Sequence, residues 1–304
     1  MPYADLKNDF IFRKVFGQHP DVLMGLLNDL LDRRDDHLIT SLEYLPPDQA
    51  PEIPGFKLSI LDVKCREKGG ETFVVEMQVV HLRGFLNRVV YNAAKAFIQP
   101  LQTGGRYADL TPVIGVSICD FALWPDDAQD ALGRARIPMV SRWRFTERAS
   151  EAEGIPQVQF AFLELAKLGD QVPRDTVERW ASIFAHAHEV EPESLVGVPF
   201  TAAQRHALDL ANKATFSQAE LDAYQRVRDE IDQARQFADE AHEKGIAQGL
   251  AKGLTDGLRV TLTVLCEVLG IALDDERRRW LETAPVAALE ERLAQIRSQR
   301  EWIG

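Results

Sequence analysis

Cysteine is scarce in this chain. Its three cysteines, Cys65, Cys119 and Cys266, are odd in number and far apart, so neither a disulfide framework nor a metal-knuckle spacing is present. That usage fits a reducing cytoplasm. Long apolar runs are missing too. None reaches the roughly 18 residues of a membrane span, and the first residues lack the apolar centre of a signal peptide. A soluble protein is expected. Positive charge is also in deficit: the formal net charge is −12, which argues against a generic nucleic-acid coat. What is present is an ordinary globular balance. The 304 residues are 45% hydrophobic and 27% charged, enough for one large or two moderate domains with a core.

The charge is unevenly spread. Residues 56–106 carry eight basic side chains against four acidic ones, and the acidic surplus lies mainly in the C-terminal half. A locally basic window in an acidic protein is either compatible with a phosphate backbone or an ordinary solvated surface.

Inside that window, residues 60–79 read as two strands joined at Gly69-Gly70. Phe73, Val75, Met77 and Val79 fall on one face of the second strand, and Thr72, Val74, Glu76 and Gln78 on the other. A three-residue loop, Lys68-Gly69-Gly70, sets Asp62 opposite Glu76. A two-residue Gly69-Gly70 turn sets Asp62 opposite Met77 instead. In the first register the two carboxylates lie about 5 Å apart, and like charges so placed repel. Either a divalent cation compensates them, with oxygen ligands at about 2.0–2.1 Å for Mg²⁺, or both are solvated on an exposed sheet face.

Asp62 followed by Glu76-Met77-Gln78 on the next strand resembles the catalytic signature of the PD-(D/E)XK nuclease superfamily. The nearer likeness is to its recombination-promoting nuclease (Rpn) group, also described as transposases. Lys7–Gly17 resembles that group's opening helix, Phe85–Tyr91 its helix after the hairpin, and the glycine-punctuated stretch near Gly245 its tail. The likeness covers most of the chain. It implies a restriction-endonuclease-like α/β fold, a mixed sheet flanked by helices, and metal-dependent hydrolysis of DNA phosphodiester bonds in support of recombination or mobile-element movement. Mg²⁺ is the implied ion, with Mn²⁺ or Ca²⁺ as alternatives. Asp62, Glu76 and the carbonyl of Met77 are the implied metal ligands, with Gln78 placing water and Asp9 leaning over the hairpin as a third carboxylate. Two residues depart from the superfamily pattern: Leu61 stands where it has proline, and Gln78 where it has lysine. A lysine stabilises developing charge, whereas a neutral amide only hydrogen-bonds.

Around this centre the chain reads in order. Residues 3–17 and a segment from Pro20 to Leu31 read as helices, and residues 38–45 as a first strand whose Glu43 is a weaker site candidate. The literal Pro-Asp pairs at Pro47-Asp48 and Pro125-Asp126 sit in turn sequence. After the hairpin, His81 competes between general base and loop residue. A helix over about 85–101 brings Arg88, Tyr91 and Lys95 to one face, where they are either phosphate contacts or an ordinary polar surface. Thr111–Ile118 reads as a buried strand, 121–154 as proline- and charge-rich irregular structure, and Val158–Leu165 as another strand. A helix over roughly 173–188 follows, on which His186 and His188 point apart and make poor joint metal ligands.

From about 217 a long polar helix begins. Gly245, Gly249, Gly253 and Gly257 recur every fourth residue, each followed by Ile or Leu. Four helical glycines cost roughly 4 kcal/mol against alanine. Close helix–helix approach would offset this, making the segment a homo-oligomerisation or docking helix, and a flexible tether is the other reading. Residues 260–302 read as short amphipathic helices. The expected division is 1–215 nuclease-like domain, 216–258 long helix and 259–304 small helical module. The rivals to a DNA endonuclease are a catalytically inactive nuclease-like module that binds DNA or protein, and an assembly protein driven by its C-terminal helix. An RNA substrate is a variant of the main reading.

Overall fold

A computed structural model of the chain describes residues 2–49, 59–101, 105–125, 137–169 and 172–303. In chain order, α1 (Asp9–Phe16) and α2 (Pro20–Leu30) precede β1 (Leu42–Tyr44), β2 (Asp48–Gln49), β3 (Ser59–Ile60), β4 (Val63–Glu67) and β5 (Thr72–Gln78). Then come α3 (Phe85–Ile98), β6 (Val113–Cys119), β7 (Val140–Thr146) and β8 (Glu153–Glu164). The rest is helical: α4 (Thr176–His186), α5 (Ala202–Ala211), α6 (Gln218–Leu269), α7 (Asp275–Thr283) and α8 (Val286–Gln299).

Six strands form one mixed sheet in the order β1-β4-β5-β6-β8-β7. β5, β6 and β8 run parallel, and the flanking pairs are antiparallel. The parallel β5–β6 pair needs a crossover, and α3 supplies it. Every residue of β6 is buried, which is why its sequence is continuously apolar rather than alternating. One sheet face carries Val63, Cys65, Phe73, Val75 and Met77 into a large core with α1, α2, α4 and α5. There Phe16 stacks on Phe184 at 5.4 Å between ring centres. The other face packs beneath α3 through Val74, Ala93 and Ala96 near the centre, and through Phe85, Val89 and Phe162 farther along. This helix-flanked mixed sheet is the restriction-endonuclease-like α/β architecture expected from the sequence.

Three expectations are corrected. The first helix starts at Asp9 rather than residue 3, because Asn8 accepts from the backbone N–H groups of Phe10 and Ile11 and caps it. Residues 121–154 are not all irregular: β7 lies within them as an edge strand, and β8 begins at Glu153 rather than 158. Helix α5 was not anticipated. It packs so closely on α2 that a Cβ at Gly25 would lie 2.3 Å from the Cβ of Ala203.

The chain divides into two compact units, 1–234 and 235–304. The second has its own core, in which Leu262 and Cys266 of α6 meet Leu281, Leu289 and Ile296. Arg259 reinforces it by donating to the carbonyls of Leu281 and Glu282. At Gly245, Gly249, Gly253 and Gly257 an added Cβ would meet nothing within 4 Å. Among the described residues, no helix is long and apolar enough to cross a membrane.

Candidate active site

The hairpin adopts the three-residue loop. Val63 pairs with Val75, Lys64 with Val74, Cys65 with Phe73 and Arg66 with Thr72. The N–H of Glu67 continues the ladder to the Glu71 carbonyl at 2.9 Å. Gly70 closes the loop at φ 101°, a conformation that favours glycine. Asp62 lies just before β4, and this register carried one step beyond Val63 would set it opposite Glu76.

The two acids line one cleft of about 320 Å³, together with Asp9, Arg13, Gln78 and Arg88. Asp62 is held at both oxygens. Its Oδ2 accepts from the Met77 N–H at 2.9 Å, and its Oδ1 from Arg13 Nη2 at 3.1 Å. Glu76 is buried, and its Oε1 accepts from Asn92 Nδ2 at 2.7 Å. Gln78 Oε1 accepts from Arg88 Nη2. Arg88 and Asn92 are one helical turn apart on α3, and Gln78 and Glu76 two residues apart on β5. Helix and strand therefore meet as two polar rungs.

The electrostatics follow from this crowding. Burial pushes the Glu76 carboxyl up, the Asp62 charge adds to the shift, and Asn92 and Arg88 oppose it. Asp9 sits at the mouth of the cleft, with its side chain open to solvent on one side. Even so, the protein packed around it and the nearby Asp62 push its pKa up to about 6, with Arg13 pulling the other way. Two carboxyls pushed up by burial and by a third carboxylate beside them are acceptors short of positive charge.

The other candidates lie elsewhere. Tyr91 is exposed on α3, with Lys95 above its ring at 5.8 Å, and neither lines the cleft. His81 stacks on Phe121 at 4.7 Å, outside the cleft, and Glu43 is exposed on β1. Of the Pro-Asp pairs, Asp126 lies outside the described residues. Among the described residues, no group of three or more His, Cys, Asp or Glu side chains is placed to hold a metal ion.

Sequence reasoning missed Arg13, Asn92 and Ile231, all of which line the cleft. Ile231 arrives on α6, whose start is tied to α1 by Lys14–Glu220 at 2.7 Å and by Asn8 Nδ2 donating to the Tyr224 carbonyl at 3.1 Å.

No curated protein and no solved structure matches the chain. A family model does, over residues 6–240, which takes in the sheet, α3 and every residue of the cleft. With carboxylates at the ends of paired strands and the match spanning most of its length, the chain belongs to the PD-(D/E)XK nuclease family transposases.

Proposed function

We propose that the protein is a metal-dependent DNA endonuclease acting in recombination or mobile-element movement. The observation that carries this reading is the hairpin register, which brings Asp62 and Glu76 to one cleft and leaves their mutual repulsion only partly relieved. The donor set fits a hard divalent ion such as Mg²⁺, with Mn²⁺ and Ca²⁺ as alternatives. It is all oxygen, and Mg²⁺ commonly takes only one or two carboxylates with phosphate and water completing its shell. Two acids and the Met77 carbonyl are therefore enough, and the lack of a three-acid cluster does not count against the fit. When bound, such an ion supplies Lewis acidity, easing deprotonation of water and drawing charge from the scissile phosphoryl group.

The chain's own residues do the remaining work. Met77 N–H fixes the Asp62 carboxylate, and Asn92 fixes that of Glu76. Arg88 holds the carbonyl end of the Gln78 amide, which leaves its N–H₂ free to orient water. The Arg88 guanidinium also brings to the cleft the positive charge that a lysine at position 78 would have carried. Tyr91 and Lys95, on the outer side of α3, are assigned to flanking phosphates.

The test is plasmid cleavage in Mg²⁺, Mn²⁺, Ca²⁺ and EDTA by the wild type, Asp62→Ala and Glu76→Ala. Cleavage that needs metal and is lost in both variants is expected. Equal cleavage by all three proteins would discard the mechanism. A second reading, a non-catalytic DNA-binding module, is favoured by one observation: both Asp62 oxygens already have protein donors. It predicts salt-dependent binding without turnover.

We also assign self-association to the glycine-punctuated part of α6. Deleting residues 241–304 leaves Ile231 in the cleft, so loss of oligomers with retained cleavage is the expected result. Nuclease function is assigned to 1–215, with 216–258 as the linking helix and 259–304 as a separate helical module in a cytoplasmic protein.

A further inference from the structure

Arg13 is the only basic side chain bonded to Asp62 among the described contacts, and it differs from its partner in one respect. The Arg13 side chain is 49% exposed, whereas that of Asp62 is 11% exposed. The carboxylate is held in place, and the arginine is free to leave. An ion pair with a half-exposed partner is the weak kind, screened and readily exchanged for water. The base of the arginine arm is nevertheless fixed. Asn8 caps α1 and grips α6, Lys14 bonds Glu220, and the Tyr44 hydroxyl donates to the Phe16 carbonyl at 2.8 Å. Asp9 lies one turn before Arg13 and faces the same cleft.

We propose that Arg13 is a resident counter-ion that a divalent cation must displace from Asp62, and that the freed guanidinium then grips the phosphate backbone of bound DNA. This rests on the metal-dependent reading above. A planar guanidinium suits both stations, because its paired N–H donors match a carboxylate and a phosphate equally well. The Arg13 charge beside that Asp62 oxygen repels an arriving cation and takes one of the oxygen's lone pairs, so a cation binds there weakly until the side chain moves. Bound DNA, by drawing Arg13 away, would clear the seat, and by reciprocity the cation would strengthen DNA binding by the same factor. Arg13 is on this view a positioning residue: it keeps the Asp62 carboxylate paired and aimed while the site waits, and it couples metal loading to the arrival of substrate.

The experiment titrates Mn²⁺ into full-length wild type, Arg13→Gln and Asp62→Asn by calorimetry. Each is measured alone and with a nuclease-resistant 20-base-pair phosphorothioate duplex. Without duplex, Arg13→Gln is expected to bind Mn²⁺ at least about threefold more tightly than wild type, since a weak competitor has been removed. Duplex should tighten Mn²⁺ binding by wild type, and by Arg13→Gln much less. The slope of log Kd for duplex against log salt should fall by about one in Arg13→Gln, as for one lost phosphate contact. Because Arg13 is half exposed, Arg13→Met offers a second variant with the same expected signs should glutamine disturb folding. Wild-type Mn²⁺ affinity in both Arg13 variants, with unchanged coupling to duplex, would overturn the proposal while leaving the metal site standing. Wild-type Mn²⁺ binding by Asp62→Asn, or none by any protein, would overturn the metal reading and this proposal with it.

Discussion

Asn92 donates to Glu76 across 2.7 Å, and both side chains are buried under α3. The amide therefore lowers a carboxyl that burial and Asp62 raise. This pair predicts a pH signature.

Replacing Asn92 with alanine removes that hydrogen bond and lets the Glu76 carboxyl climb further. As pH falls, a larger share of the variant's Glu76 is protonated and unable to bind metal, so its cleavage should drop before that of the wild type, with the deficit narrowing as pH rises. A pH–rate profile of the two proteins checks it. A uniform loss at every pH would instead mark Asn92 as a packing residue.

Asp9 predicts a stability change with a definite sign. Its folded pKa of about 6 lies above its ordinary 3.8, so its ionised form is disfavoured by folding. Its contribution to stability is complete below pH 3.8 and is lost as pH rises through 6. Asp9→Asn should match the wild type near pH 3.5 and melt about 1–3 °C higher at pH 8 in EDTA, a modest gain because the carboxylate is open to solvent on one side. Melting curves across that range decide it. A variant less stable at pH 8 would show that Asp9 is satisfied as an anion.

Gly25 predicts a packing defect with a matched remedy. A methyl there would press into Ala203 of α5, so Gly25→Ala should cost about 1–3 kcal/mol despite alanine's better helix propensity. Gly25→Ala combined with Ala203→Gly should recover much of the loss, as measured by urea unfolding.

The α6 glycines predict the opposite. Methyls at Gly249 and Gly253 meet open space within the chain, so the double alanine variant should gain about 1–2 kcal/mol of helix stability. If the same face packs against a second copy, that variant should also dissociate at higher protein concentration. Melting and sedimentation of one preparation read both effects.

Some of this was legible in the sequence and some was not. The register of Asp62 and Glu76 could be framed because strand alternation and loop length are local properties. β6 was legible because a strand buried on both faces leaves an unbroken apolar run. β7 was hidden, since it is an edge strand whose Arg142, Trp143 and Arg144 all keep exposed surface, so it reads as a charged loop. Arg13 and Asn92 were hidden for another reason. Each is an unremarkable polar residue on a helix, and its partner lies 49 or 16 positions away. Nothing local announces a contact that only the sheet and its two covering helices create.

The turn at Lys68–Gly70 sets the terms on which this lineage can vary. Exchanging Lys68 alters a surface and exchanging Gly70 strains the turn, but removing a single residue would rotate the outgoing strand by half a pleat. Glu76 would then face away from Asp62, and the cleft would lose half its acid pair without either carboxylate having been touched. Among relatives, position 68 should vary freely while position 70 stays glycine, and insertions or deletions of one residue should coincide with a silent nuclease.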